Sequence, residues 1–106
     1  KVVVTDAPGP TAASRAIGRP RVDEPYLGLV NYLNNLRRLG WNDTDFTDGG
    51  SDALIDALVA QGNPSVVATE LAAHVAAGAD HVVIQALGDD ALAQLAALAP
   101  ALGLAA

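Results

Sequence analysis

The chain has 106 residues, of which 51% are hydrophobic and 17% are charged, and its formal net charge is −6. This length suffices for one small domain, and the apolar fraction excludes a disordered tail. The acidic balance argues against nucleic acid as a partner, because phosphate contacts need clustered Lys and Arg. The chain contains no cysteine, which excludes disulfides and thiolate metal sites.

The first strand of the chain is predicted at its very start. Val2, Val3 and Val4 form a β-branched run that ends at a turn rich in Pro and Gly. A short helix is predicted over residues 11–17, stopped near Gly18 and Pro20.

The middle of the chain carries a helical stripe. Pro25 suits a helix start, and leucines then recur at spacings of four and three on one face. These leucines are Leu29, Leu33, Leu36 and Leu39. Gly40 suits the end of this helix, and a polar loop follows.

Two more helices, two strands and a final helix are predicted after that loop. Ser51 caps one helix and Asn63, with Pro64 behind it, caps the next. A doubtful strand lies near residues 58–61, and a strand with no polar alternation, HVVIQA, occupies residues 81–86. The last helix is predicted to point Leu92, Leu95 and Leu98 inward.

The order of these elements predicts parallel strands joined by helices, which are buried on both faces. An open sheet of this kind normally has about five strands, and the chain offers two clear ones. The chain also begins with Lys1, in mid-strand, and contains no methionine. We therefore expect a segment of a longer polypeptide, incomplete on its own.

Three consecutive stretches, NYLNNLRRLGW, DGGSDALIDALVAQGNP and HVAAGADHVVIQALG, resemble motifs near the carboxyl end of luciferase-like monooxygenases. They are most similar to the branch that uses the deazaflavin coenzyme F-420. The resemblance covers Tyr26 to Leu102 in the right order and spacing.

The resemblance implies an α/β fold, a (β/α)8 TIM barrel. Residues 1–106 would be the carboxyl-terminal part of that single domain, about strands six to eight with their helices. Residues 7–52 would form a helical insertion and helix region, and residues 53–106 the last β/α units. Strand eight, at residues 81–86, would pair with strand seven and with a strand one that lies outside this chain.

The resemblance also implies an oxidoreductase that transfers a hydride between coenzyme F-420 and an unknown small organic substrate. Two alternatives are an FMN-dependent luciferase-like monooxygenase and a non-catalytic half-barrel fragment that self-associates. The coenzyme would be bound mainly by residues outside this segment, so no catalytic residue is assigned, and the segment alone is expected to be inactive. The expected partners are the missing amino-terminal barrel portion or a companion chain, and further copies of the chain.

Five residues are candidates for the substrate pocket, four on the helix of the leucine stripe and one in the last strand. They are Asn31, Tyr32, Asn35, Arg38 and Gln85. The resemblance also implies that the ends of the first and last strands, Thr5 with Asp6 and residues 85–88, would supply one wall of the pocket. The simpler interpretation is that the polar helix residues form a solvated face and that Tyr32 packs against the rest of the protein.

The histidines, His74 and His81, lack metal-ligand spacing, so no metal is expected. No apolar run spans a bilayer and no signal peptide is visible, so a cytoplasmic location without a membrane partner is expected.

Overall fold

The structure is a computed structural model that describes residues 1–104. Its regular elements are two strands, β1 (Val2–Val4) and β2 (Ala60–Gly62), and five α-helices. The helices are α1 (Ala12–Asp23), α2 (Val30–Arg38), α3 (Asp52–Leu58), α4 (Pro64–Ala76) and α5 (Ala91–Ala101). Short 3₁₀ turns at Tyr26–Gly28 and Asp43–Phe46 flank α2. No helix of this described part is both long enough and apolar enough to cross a membrane.

Helices cover both faces of the small parallel sheet formed by β1 and β2. Side chains of a strand alternate between faces. Val3 packs with Val22 of α1 and Ile55 of α3. The neighbouring side chains of β1 point the other way: Val2 forms a cluster with Val67 of α4 and Leu98 of α5. The core therefore has two halves, with α1 and α3 on one side of the sheet and α4 and α5 on the other.

Residues 81–86, which we call the edge segment, meet β1 only at their carboxyl end, through one parallel bridge between Val2 and Ala86. The Val2 N–H donates to the Gln85 carbonyl at 2.9 Å, and the Leu87 N–H donates to the Val2 carbonyl at 3.0 Å. Since β1 also pairs with β2 on its other side, the spatial order is β2, β1, edge segment.

This arrangement corrects the predicted barrel segment. The described residues are mostly helical, 57% of them, with a two-stranded parallel sheet, and a barrel segment with strands six to eight is not what the chain forms. In a barrel, the edge segment would lie against β2, whereas here it lies against β1. The physical reason is the length of β1: its three residues offer the edge segment only the backbone groups of Val2 and Val4, and Val4 bonds elsewhere.

The predicted helix ends are partly confirmed. The Ser51 hydroxyl accepts from the Leu54 N–H at 3.1 Å, and the Asn63 side chain accepts from the Val66 N–H at 3.0 Å, as helix caps do. The predicted stop of the first helix is wrong, because α1 continues through Gly18 and Pro20 to Asp23. Gly18 is used for close packing there: an added Cβ would lie 3.4 Å from the side chain of Val59.

The predicted inward leucines are also only partly correct. Leu98 is 1% exposed, but Leu92 is 84% exposed and Leu95 is 37% exposed. The side chain of α5 that shares the inner face with Leu98 is Gln94, which is 4% exposed. In α2, Leu36 is buried while Leu29 and Leu39 are exposed.

Candidate functional site

The carboxyl ends of β1 and the edge segment lie side by side, because the two run parallel. From β1 the chain turns to α1 on one face of the sheet, and from the edge segment it turns to α5 on the opposite face. When neighbouring parallel strands send their connections to opposite faces, a crevice opens beyond their carboxyl ends, and α/β proteins bind ligands there. We call this place the switch-point crevice.

The crevice contains a cleft of about 370 Å³. Its walls come from the end of β1 and the residues after it, from the start of α4, and from α5. The lining residues are Val4, Thr5, Asp6, Pro64, Asp90, Ala93, Gln94 and Ala97. Two carboxylates, Asp6 and Asp90, line it, and within the part of the chain that the structure describes no basic side chain does so.

The loops around the crevice are tied to each other by backbone hydrogen bonds. The Thr5 N–H donates to the Gly62 carbonyl at 2.8 Å, and the Asn63 N–H donates to the Ala7 carbonyl at 2.7 Å. Gly62 has a φ of +142°, a conformation that side-chain-bearing residues rarely adopt. The loop after β1 is therefore positioned by the turn that joins β2 to α4.

Gln94 crosses the space between the two strand ends. Its Oε1 accepts from the Val4 N–H at 2.8 Å, and its Nε2 donates to the Leu87 carbonyl at 2.5 Å and to the Asp90 carboxylate at 2.7 Å. The sequence reasoning missed this residue, because a glutamine in a helix is usually exposed. The signal that could have identified it is its spacing of four residues from Leu98, which places both on one helical face.

A second polar network lies on the other face of the sheet and joins α1, α3 and β2. The buried Ser14 hydroxyl donates to the Gln61 Oε1 at 2.6 Å, and the Gln61 Nε2 donates to Asp56 at 3.0 Å. Arg15 makes two hydrogen bonds to the same carboxylate, at 2.9 and 2.7 Å. The hydrogen-bonded Arg15 guanidinium holds the pKa of the Asp56 carboxyl below its ordinary value. Since all these side chains bond each other, the network holds the fold together and leaves little for a ligand.

The five predicted pocket residues do not converge. Tyr32 and Asn35 line a cleft of about 270 Å³ together with Tyr26 and Leu36. Tyr26 and Tyr32 meet edge to face, with ring centroids 4.8 Å apart. This cleft also includes Lys1, so it lies at the amino end of β1, opposite the switch-point crevice.

The other three predicted residues, Asn31, Arg38 and Gln85, are exposed and line neither cleft. Gln85 lies in the edge segment, away from α2. The structure therefore places the predicted set at two separate parts of the surface.

A third cleft, of about 420 Å³, contains Glu70, His74 and His81. Burial raises the pKa of the Glu70 carboxyl. Within residues 1–104, no three His, Asp or Glu side chains are arranged to hold a metal ion.

Comparison with known proteins adds no relative. No protein-family model matches the chain, and neither the curated proteins nor the solved structures contain a match.

Proposed function

We propose that this chain is part of an oxidoreductase that transfers a hydride between coenzyme F-420 and a small organic substrate. Two observations support the proposal. The first is the resemblance of the stretches from Tyr26 to Leu102 to the F-420 branch of luciferase-like monooxygenases. The second is the switch-point crevice, since the carboxyl ends of parallel strands are where coenzymes bind in α/β proteins. The resemblance is what suggests F-420, and the crevice supports the proposal by offering a place for a coenzyme.

The charges of the crevice indicate which part of the coenzyme it would hold. Asp6 and Asp90 line the cleft, and the basic side chains of the described chain lie elsewhere. An anionic phosphate group would be repelled by these carboxylates. We therefore infer that the uncharged edge of the ring system lies in the crevice, and that the anionic tail is bound by residues outside it. In such an enzyme the coenzyme supplies the redox chemistry, and the protein supplies position and electrostatics.

Titration of the chain with F-420, followed by the absorbance and fluorescence of the deazaflavin, tests this proposal. We expect saturable binding, and a fall in affinity of at least about tenfold, which is about 1.4 kcal/mol, when Ala93→Phe fills the cleft. Ala96→Phe, on an exposed position of the same helix that does not line the cleft, is the matched control. Absence of F-420 binding, or equal affinity of the two variants, would contradict the proposal.

A parallel titration with FMN separates the flavin-dependent alternative from the deazaflavin one. Tighter binding of FMN than of F-420 would favour a luciferase-like monooxygenase that reacts with oxygen. In either case we expect no turnover by this chain alone, because none of its residues is assigned a catalytic role. We propose a cytoplasmic location for the enzyme.

A second, non-catalytic function is self-association through the edge segment. Val83 is 90% exposed, which is unusual for the centre of an apolar run. The Gln85 carbonyl and the Leu87 N–H point toward β1, so the backbone groups of Ala86, between them, point to the outside. Among residues 1–104, no backbone group pairs with that outer edge. An open, apolar sheet edge is a template for pairing with another chain.

We expect the chain to dimerise and Val83→Lys to make it monomeric, because a charged side chain on an edge strand opposes edge-to-edge pairing. Size-exclusion chromatography with light scattering measures this. Leu92→Lys is the control, since Leu92 is as exposed but lies on α5. A wild-type chain that stays monomeric at every concentration tested would rule out self-association.

A further inference from the structure

We propose that Gln94 is a wedge: its side-chain amide replaces one hydrogen bond of the parallel ladder and keeps the strand ends apart, so that the switch-point crevice stays open. Gln94 is thus a positioning residue for whatever the crevice binds. The identity of that ligand as a deazaflavin rests on the function proposed above, whereas the wedge itself does not.

The hydrogen bonds between β1 and the edge segment show which bond of the ladder the Gln94 amide replaces. Val2 donates to the Gln85 carbonyl and accepts from the Leu87 N–H. In a parallel ladder the next bond of this series joins the Val4 N–H to the Leu87 carbonyl. Neither group makes that bond, because the Val4 N–H donates to the Gln94 Oε1 and the Leu87 carbonyl accepts from the Gln94 Nε2.

A primary amide suits this place chemically. It carries an acceptor oxygen and a donor nitrogen, as a peptide group does, so it satisfies both backbone groups that it separates. The two strand ends are then joined through an intervening side chain and not by a direct backbone bond. Without a partner, the Val4 N–H and the Leu87 carbonyl would each cost stability, because this place is buried: Leu87 is 2% exposed.

The orientation of the amide is fixed from three sides. The Nε2 donates to the Leu87 carbonyl and to the Asp90 carboxylate, so both of its hydrogens are used and the oxygen must face the Val4 N–H. The backbone N–H of Gln94 also donates to the Asp90 carbonyl, at 3.0 Å. One turn further along α5, Leu98 packs against Val2. A side chain held in this way cannot rotate out of the gap without breaking several contacts.

The consequence concerns the shape of the crevice. Val4, Asp90 and Gln94 all line the cleft of about 370 Å³. A direct bond between Val4 and Leu87 would draw the residues after each strand together, Thr5 and Asp6 on one side and Gly88 to Asp90 on the other. When the Gln94 amide is removed, we therefore expect the parallel ladder to gain the bond between Val4 and Leu87 and the cleft to become narrower.

The test is the pattern of scalar couplings across hydrogen bonds in the isotope-labelled chain, together with F-420 titration. In the wild type, the Val4 amide nitrogen should couple to the side-chain carbonyl carbon of Gln94. In Gln94→Met, which keeps the length of the side chain but loses the amide, it should couple to the Leu87 carbonyl carbon, and F-420 affinity should fall at least about tenfold. Leu92→Met, on the exposed side of α5, controls for a methionine in this helix and should change neither result.

Coupling between Val4 and Leu87 in the wild type would overturn the wedge, as would full F-420 affinity in Gln94→Met. The wild-type spectrum decides the first point even where Gln94→Met does not fold. If the wild-type couplings are as expected and F-420 does not bind, the wedge stands and the proposed coenzyme is wrong.

Discussion

Leu98→Ala is expected to lower the free energy of unfolding by about 3 kcal/mol, because truncation of a buried leucine removes its transfer free energy and leaves a cavity. Leu98 is 1% exposed and packs with Val2 of β1 and Val67 of α4. It thus supplies the apolar contact between α5 and the sheet, beside the hydrogen bond from Val4 to Gln94. Domains of this size are stable by only about 5–15 kcal/mol, so the loss is a large fraction of the total. Urea denaturation followed by circular dichroism measures it.

The matched control is Leu92→Ala on the same helix. Leu92 is 84% exposed, so its truncation should change the free energy of unfolding by less than about 0.5 kcal/mol. The sequence pattern predicts both leucines on the inner face. Equal losses from the two variants would therefore support the pattern and contradict the packing described here.

Gly62→Ala is expected to cost about 3 kcal/mol, for two separate reasons. The φ of +142° is strained for any residue with a side chain, which costs about 1–3 kcal/mol. An added Cβ would also lie 3.0 Å from the Val66 Cγ1 and 3.2 Å from the Gly9 Cα, and the latter is backbone that cannot rotate away. Thermal or urea unfolding gives the magnitude.

Gly78→Ala separates these two contributions. Gly78 also has a positive φ, of +116°, but an added Cβ would meet nothing within 4 Å. Its substitution should therefore cost only the conformational part, about 1 kcal/mol. If the two glycine variants lose the same stability, the close approach between the β2–α4 turn and the loop after β1 is not present.

Local signals in the sequence predicted much of the secondary structure. Ser51 and Asn63 cap helices as expected, because a side-chain oxygen before a helix satisfies a free backbone N–H wherever the helix lies in the fold. The burial of Val2 and Val3 was also predictable from the sequence, since a β-branched run without polar alternation has two apolar faces. These features depend on a few neighbouring residues.

The features that were predicted wrongly depend on residues distant in sequence. The barrel required the edge segment to lie beside β2, and nothing in the local pattern distinguishes that neighbour from β1. Pro20 lies inside α1, where the sequence pattern predicted a stop. Leu92 and Leu95 fit an apolar stripe, but the face of α5 that packs against its neighbours is the one that carries Gln94 and Leu98.

The candidate site was predicted only in part. The resemblance implied Thr5 and Asp6 at the end of the first strand, and both line the crevice. It placed most of the candidate residues on the polar face of α2, however, and Gln94 of α5 was not among them. Asp6 and Asp90 are 84 positions apart in the chain, and only the order of the strands brings them to one cleft. Gln94 has its role because β1 ends at Val4, which no helical pattern reveals.

The crevice and the role of Gln94 both depend on the order of the three parallel segments, and nuclear Overhauser contacts between backbone protons of the labelled chain test that order. With β1 in the centre, we expect contacts from Val2 to Ala86 and from Val3 to Gln61. Contacts between the edge segment and Gln61 or Gly62, which would put β2 in the centre as a barrel requires, would contradict it.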